Sequence, residues 1–316
     1  MRERACWMAF LAASLGCAPD LTVHASKITA ARVIAVRSDP AEARPGTTVT
    51  LTAFVAGARG EVAVTWRACE VPRSTSESAT VSARCLDDDA GALAALAEGA
   101  PATAVVPGDA CMRVGPQTPP AGQDALRTRA PDPDITGGWQ LPIRLDLRAG
   151  DDRETMFARL RVRCQPPDVP GATAQGYALR YRDNRNPALS GVYAVIDGAT
   201  RELPRAPDGE DPRPLALGDA REVGVLALWD AAASERYVRV DPVTRGLDER
   251  SEALEVAWFT DGGWFTRDRT APDASGTAAV NVLHLDAGVT HARVWVVLRD
   301  ERGGVDVARL EVGSGS

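Results

Sequence analysis

Apolar residues recur at every second position in short segments of this chain, the period of a half-buried β-strand. Across 47–57, Val49, Leu51, Ala53 and Val55 fall on one face, with Thr48, Thr50 and Thr52 on the other. Val62, Val64 and Trp66 alternate with Ala63, Thr65 and Arg67. Ile143, Leu145 and Leu147 begin a further pair of runs, completed by Ala158, Leu160, Val162 and Cys164 with Arg159, Arg161 and Arg163 between them. Upstream, residues 32–39 read as a strand that runs into a turn at Pro40, and Pro45-Gly46 marks a second turn. The pattern fails over 70–136, where Ser, Asp, Pro and Gly dominate and only 90–98 has the Ala/Leu richness of a short helix. A loop of that length is uncommon inside a compact unit, so an insertion is expected there.

The second half repeats this order. Residues 191–198 parallel 32–39, and 221–229 parallel 47–57. Leu254, Val256 and Trp258 parallel Val62, Val64 and Trp66, each set closing on tryptophan. Two last runs, 294–298 and 305–312, flank Arg299-Asp300-Glu301-Arg302-Gly303-Gly304, whose glycine pair supplies the positive φ of a hairpin turn. A stretch rich in Pro, Gly, Arg and Asn, 166–188, is expected to link a domain at 31–165 to another at 189–313. Abundant glycine and proline, with no long amphipathic helical pattern, agree with an all-β design.

The front of the chain has a different logic. Residues 1–16 read as a signal peptide: Arg2 and Arg4 precede an apolar run over 5–15 broken only by Ser14. That run is shorter than the roughly 20 residues a membrane-spanning helix needs. It ends in Leu15-Gly16-Cys17-Ala18, which resembles the bacterial lipoprotein signal, where the cysteine is lipidated and becomes the first residue. The resemblance implies a lipid on Cys17, a tether over 17–30, and the membrane as a partner through that lipid. Ala18 fits the pattern exported to an outer membrane. An ordinary signal peptide cut near Ala18 is the alternative.

The formal net charge of −7 argues against nucleic acid as a partner. Beyond Cys6 and Cys17, an exported chain with Cys69, Cys85, Cys111 and Cys164 suggests two disulfides, in any of three connectivities. The absence of a CxxC or of a nearby histidine gives no reason to expect zinc.

The duplicated alternating strands, the central tryptophans and the C-terminal hairpin resemble the immunoglobulin-like β-sandwich. Residues 32–52, with Asp39-Pro40 and Pro45-Gly46-Thr47-Thr48-Val49, resemble bacterial Ig-like repeats of surface proteins. Asn186-Pro187-Ala188-Leu189 and the run 296–304 are similar to segments of lipoproteins from myxobacteria. The resemblance implies two antiparallel Ig-like β-sandwiches, a long loop insertion in the first, a place in the cell envelope, and no particular activity. In such a sandwich Cys69 would end the Trp66 strand and Cys164 the last strand, both at one end of the sheet. That implies Cys69–Cys164 with Cys85–Cys111, while the sequential pairing Cys69–Cys85 with Cys111–Cys164 stays open.

Catalytic signals are few. The histidines are His24, His284 and His291, and no nucleophile elbow, P-loop, HExxH or dinucleotide fingerprint occurs. No cofactor is expected. Asp87-Asp88-Asp89 and Asp208-Gly209-Glu210-Asp211 offer hard oxygen ligands without calcium-loop spacing, and read as solvated acidic loops. The Arg159/Arg161/Arg163 stripe reads as the solvated face of an outer strand. Trp229, Trp258 and Trp264 are candidates for an aromatic platform; Trp258 alternates with apolar neighbours and reads as core, and Trp264, beside Gly262-Gly263, is the candidate ligand contact. The resulting expectation is a non-enzymatic binding or structural module, acting through its loops on an envelope protein or polysaccharide. The alternative is a carbohydrate-binding surface accessory that uses Trp264.

Overall fold

Strand alternation, read against strand pairing, explains the architecture. The structure, a computed structural model, describes residues 24–71, 81–87, 89, 91–114, 136–166, 169–205, 212–241 and 243–313. Residues 1–16, expected to be a signal peptide, and Cys17 lie outside the described residues.

The first half contains β1 (Arg32–Asp39), β2 (Glu42–Ala43), β3 (Thr48–Ala56), β4 (Val62–Cys69), β5 (Leu93–Glu98), β6 (Ala102–Val105), β7 (Trp139–Ala149) and β8 (Asp152–Val162). Two short helices, α1 (Ala83–Leu86) and α2 (Ala110–Val114), sit between its strands. One sheet runs β1-β3-β6 and the other β2-β8-β7-β4-β5. The inward sides of both close on one core that holds Val49, Leu51, Trp66, Leu145 and Leu160. The second half follows α3 (Gly171–Arg180). It contains β9 (Leu189–Ile196), β10 (Ala199–Glu202), β11 (Leu215–Ala216), β12 (Glu222–Trp229), β13 (Arg236–Val240), β14 (Leu247–Ser251) and β15 (Leu254–Thr260). It closes with β16 (Gly263–Phe265), β17 (Arg269–Thr270), β18 (Ala278–Leu285), β19 (His291–Asp300) and β20 (Val305–Gly313). Its sheets run β10-β9-β12-β18-β16 and β11-β20-β19-β15-β17, around a core with Val225, Trp258, Phe265 and Leu310. A separate β13–β14 hairpin packs Val238 against Tyr177 of α3 and Tyr181.

Both halves follow one plan. The first two long strands pair antiparallel, β1 with β3 and β9 with β12. A two-residue strand pairs parallel with the last strand, β2 with β8 and β11 with β20. The tryptophan strand, β4 or β15, pairs with the penultimate one, β7 or β19. This order makes each half an Ig-like sandwich. The two tryptophans are fully buried, and their indole N–H groups are satisfied: Trp66 donates to the Gly99 carbonyl at 2.7 Å, Trp258 to Thr270 Oγ1 at 2.9 Å.

Three sequence expectations are corrected. Residues 93–98 form a strand, not a helix: pairing with β4, with Leu93 opposite Cys69, overrides the local helix preference. The segment 70–136 is not wholly an insertion, because β5 and β6 within it belong to the two sheets of the sandwich. The disulfides are Cys69–Cys85 and Cys111–Cys164, with Cα–Cα distances of 5.8 and 5.6 Å. The pairing Cys69–Cys164 fails because β7 lies between β4 and β8. Two inter-strand steps separate their ends by about 10 Å, beyond disulfide reach. Cys85 meets Cys69 instead because Arg144 of β7 donates to the Cys85 and Leu86 carbonyls and seats α1 on the sheet.

The sandwiches lie side by side, with the β1–β3 side of one sheet against the β20-β19-β15 side of another. Ile34 and Ala35 of β1 and Ala56 of β3 pack on Ala257 of β15, Trp295 and Val297 of β19, and Val305 and Val307 of β20. The strands of this middle layer are therefore buried on both faces: in β19, Val294, Val296 and Leu298 point into the second core while Trp295 and Val297 point into the joint.

Candidate functional site

Two constellations of chemistry-bearing side chains occur where the sandwiches meet, one at each end of the contact. At the first, residues 181–186, read from the sequence as part of a linker, fill the space between the sandwiches. Glu42 of β2 accepts hydrogen bonds from the Tyr181 hydroxyl at 2.7 and 2.6 Å and from the Asn184 backbone N–H at 3.0 Å, with Arg161 Nε 3.4 Å away. Arg163 pairs with Asp183 and lies over the Tyr181 ring, 4.3 Å from its centroid. The expected solvated stripe is thus corrected for these two arginines but holds for Arg159, which is exposed: Arg161 is buried, because only the C-terminal end of β8 faces the joint.

From the other side, the β19–β20 turn supplies Asp300 and Arg302. Asn184 Nδ2 donates to Asp300 at 3.3 Å, which also accepts from the backbone N–H groups of Arg302 and Gly304, both at 2.8 Å. Arg302 donates from Nε to Glu252 at 2.5 Å, from Nη2 to Glu235 at 3.0 Å and from Nη1 to the Arg182 carbonyl at 3.0 Å. Asn186 ties both sandwiches together, donating to the Ser38 carbonyl and accepting from Val305 N–H, each at 2.9 Å. Gly304 fits only as glycine: a Cβ there would lie 2.1 Å from Asp300 Oδ2 and 2.8 Å from the Arg185 carbonyl oxygen.

The joint shifts its titrating groups. Burial, with the nearby Asp300 charge, pushes Glu252 up to about 7 against the pull of Arg302. Burial also raises Asp300, and it raises Tyr181 to about 12. Burial opposes the charge on Arg302, but the Glu252 carboxylate beside it raises its pKa. These groups hold one another; none faces an open cleft of the kind that binds a substrate.

At the other end, residues 24–30, read as the last part of the tether, form with Ala31 a strap across both sandwiches. Lys27 bridges in parallel to Thr260; Ile28 N–H donates to the Thr260 carbonyl at 2.7 Å and Thr260 N–H to the Ser26 carbonyl at 2.9 Å. Ser26 N–H donates to Asp268 at 2.9 Å, and Lys27 Nζ pairs with Asp286 at 2.6 Å. Ile28 enters the apolar joint, and Ala31 N–H donates to Asp152 of the first sandwich at 2.9 Å. The strap passes because residue 57 is glycine: a Cβ there would lie 2.6 Å from both Ala30 O and Ile28 Cγ2.

Trp264 lies at the edge of this strap. Its ring is stacked between His24, at 4.2 Å, and His284, at 4.0 Å, with interplanar angles of 10° and 13°. His284 in turn meets Thr266 Oγ1 at 2.8 Å and Glu222 at 3.3 Å. A sugar platform needs an open ring face, and both faces here carry an imidazole. The third histidine, His291, pairs with Glu311 at 3.2 Å.

The other candidates fall elsewhere. Trp229 and Trp258 are core. Asp89 is tied to Gly91 N–H at 2.8 Å and Arg84 Nε at 2.9 Å, which hold its carboxyl below the usual range. Asp88 and 208–211 lie outside the described residues, as does Cys17. Among the described residues, no group of three or more His, Cys, Asp or Glu is placed to hold a metal, and no helix is long and apolar enough to cross a membrane. Strand patterning could not reveal the joint, since its members are scattered over the chain. One signal was available: 294–298 is continuously apolar, as a strand buried on both faces must be.

No protein-family model and no curated protein matches the chain. Solved structures align over most of it at low similarity. A chimeric titin Z1Z2 tandem shares 10% identity over 90% of this chain and 100% of its own, with a TM-score of 0.27. The D0–D1 domain of intimin shares 11% over 89% and 99%, with a TM-score of 0.20. The Yersinia pseudotuberculosis adhesin InvE shares 10% over 89% and 58%, with a TM-score of 0.21. At these scores the likenesses carry no argument. The fold assignment rests on strand order, and it is that of paired Ig-like sandwiches.

Proposed function

We propose that this chain is a non-enzymatic, lipid-anchored protein of the cell envelope, a rigid two-sandwich body that meets an envelope protein or polysaccharide through its loops. The observation that carries the reading is how its reactive side chains are used. His24, His284 and Trp264 hold the strap, and Glu42, Arg161, Asp300, Arg302 and Glu252 hold the joint. Groups spent on fixing one part of a chain to another support a scaffold, not a reaction. Two disulfides agree with folding in an oxidising compartment. Leu15-Gly16-Cys17 supports the anchor, and acyl chains contribute about 0.8 kcal/mol per buried CH₂.

The test is intact mass and membrane fractionation of the protein made with its native signal, beside Cys17→Ser. Wild type is expected to carry the acyl mass and pellet with membranes, and the variant to lose both. Soluble wild type cut near Ala18 would replace the anchored reading with a secreted one.

A further inference from the structure

The registers give the molecule two distinct ends. Along β12 and β18, Glu222 faces His284 at one end and Leu228 faces Ala278 at the other. The strap, Trp264 and the 285–290 turn belong to the first end; the turn at 273–277, the β19–β20 turn and the charged joint belong to the second. The first sandwich is aligned the same way. Its β3–β4 and β7–β8 turns adjoin the strap, through Gly57 and Asp152. Its disulfides are at the opposite end, beside β2 and the start of β7. The elaborations gather there too: α1, α2, α3 and the β13–β14 hairpin, whose Arg239 packs against Gly137.

The chain upstream of the described residues leaves from the strap end, at His24. Seven residue steps separate His24 from Cys17. Even fully extended, they reach no further than about 25 Å. The strap is fixed by backbone hydrogen bonds to β15, by the Lys27–Asp286 ion pair and by ring stacking, so it does not pay out further chain. β18, with eight residues, carries the opposite end a further 25 Å or so away.

We propose that the strap end lies against the lipid surface, and that the disulfide-stapled, helix-bearing end is the one turned outward to partners. This rests on the lipid-anchor reading of Cys17 and deepens it: a long flexible tether would leave orientation free, whereas a seated strap sets it.

The test uses the acylated full chain in lipid vesicles with an acceptor dye on the headgroups. A donor is carried on a ketone side chain, which spares the disulfides, at Asp219→p-acetylphenylalanine (strap end) or Ala274→p-acetylphenylalanine (opposite end). Both positions are exposed turns of the second sandwich. Energy transfer is expected to be several-fold higher from 219 than from 274, and a 15-residue Gly/Ser insertion between Cys17 and His24 is expected to level the two. Vesicle-bound protein with equal transfer, or more from 274, overturns the orientation alone. Protein that lacks the acyl mass and does not float with vesicles overturns the anchor reading, and the orientation with it.

Discussion

Glu252 carries the clearest consequence at the level of single residues. Its carboxyl is raised by burial from 4.5 to about 7 in the folded protein. Between those values the folded state binds a proton that the unfolded state does not, so stability falls as pH rises through this window. The stabilisation is present in full below about 4.5 and gone above about 7. A shift of that size corresponds to at most roughly 3 kcal/mol, and burial raises Asp300 in the same direction. Chemical denaturation at pH 5 and pH 8 is therefore expected to show a more stable protein at pH 5. Glu252→Gln should flatten that difference; an unchanged pH dependence would remove Glu252 as its source. At this scale the sequence was half legible. Trp258 declared itself core by its place in an alternating run, whereas Arg161 looked like any outward-facing arginine. Its burial depends on which sandwich face another sandwich covers.

Among the elements, the cysteines divide the legible from the illegible. That all four would pair followed from the export expected of the N-terminal sequence; which pairs form follows from β7 standing between β4 and β8. Non-reducing peptide mapping is expected to recover Cys69 with Cys85 and Cys111 with Cys164, and a Cys69–Cys164 peptide would contradict the sheet order. The two bridges close loops of 16 and 53 residues. On the chain-entropy account, double Cys→Ala variants should lose about 3 and about 4 kcal/mol respectively. The helix expected near 90–98 failed for a related reason. Ala and Leu favour a helix in isolation, but an open edge on β4 offers hydrogen bonds that a four- to six-residue helix cannot match.

For the whole molecule, the issue is whether two sandwiches make one unit. Interfaces between domains in one chain usually permit relative motion unless they are large and apolar. Here an apolar layer around Trp295 and Val297 is closed at one end by the buried Glu42–Asn184–Asp300–Arg302 network and at the other by the strap. Calorimetry is therefore expected to show a single unfolding transition. Val297→Asp places a charge in that dry layer without touching either sandwich core, and should split the transition in two. Well-separated transitions in the wild type would show that the joint does not couple the halves.

The division between sequence and tertiary structure has a physical basis. A period of two, a tryptophan in each third run and an apolar leader before Cys17 are local signals, and they sufficed for the all-β class, the duplication and the expected anchor. Strand order, disulfide pairing, the seat of the strap and the joint depend on contacts between residues up to 265 positions apart, such as Arg299 with the Ile34 carbonyl. No local period records such contacts. Only the closing of the two middle sheets on each other decided which polar residues would be buried.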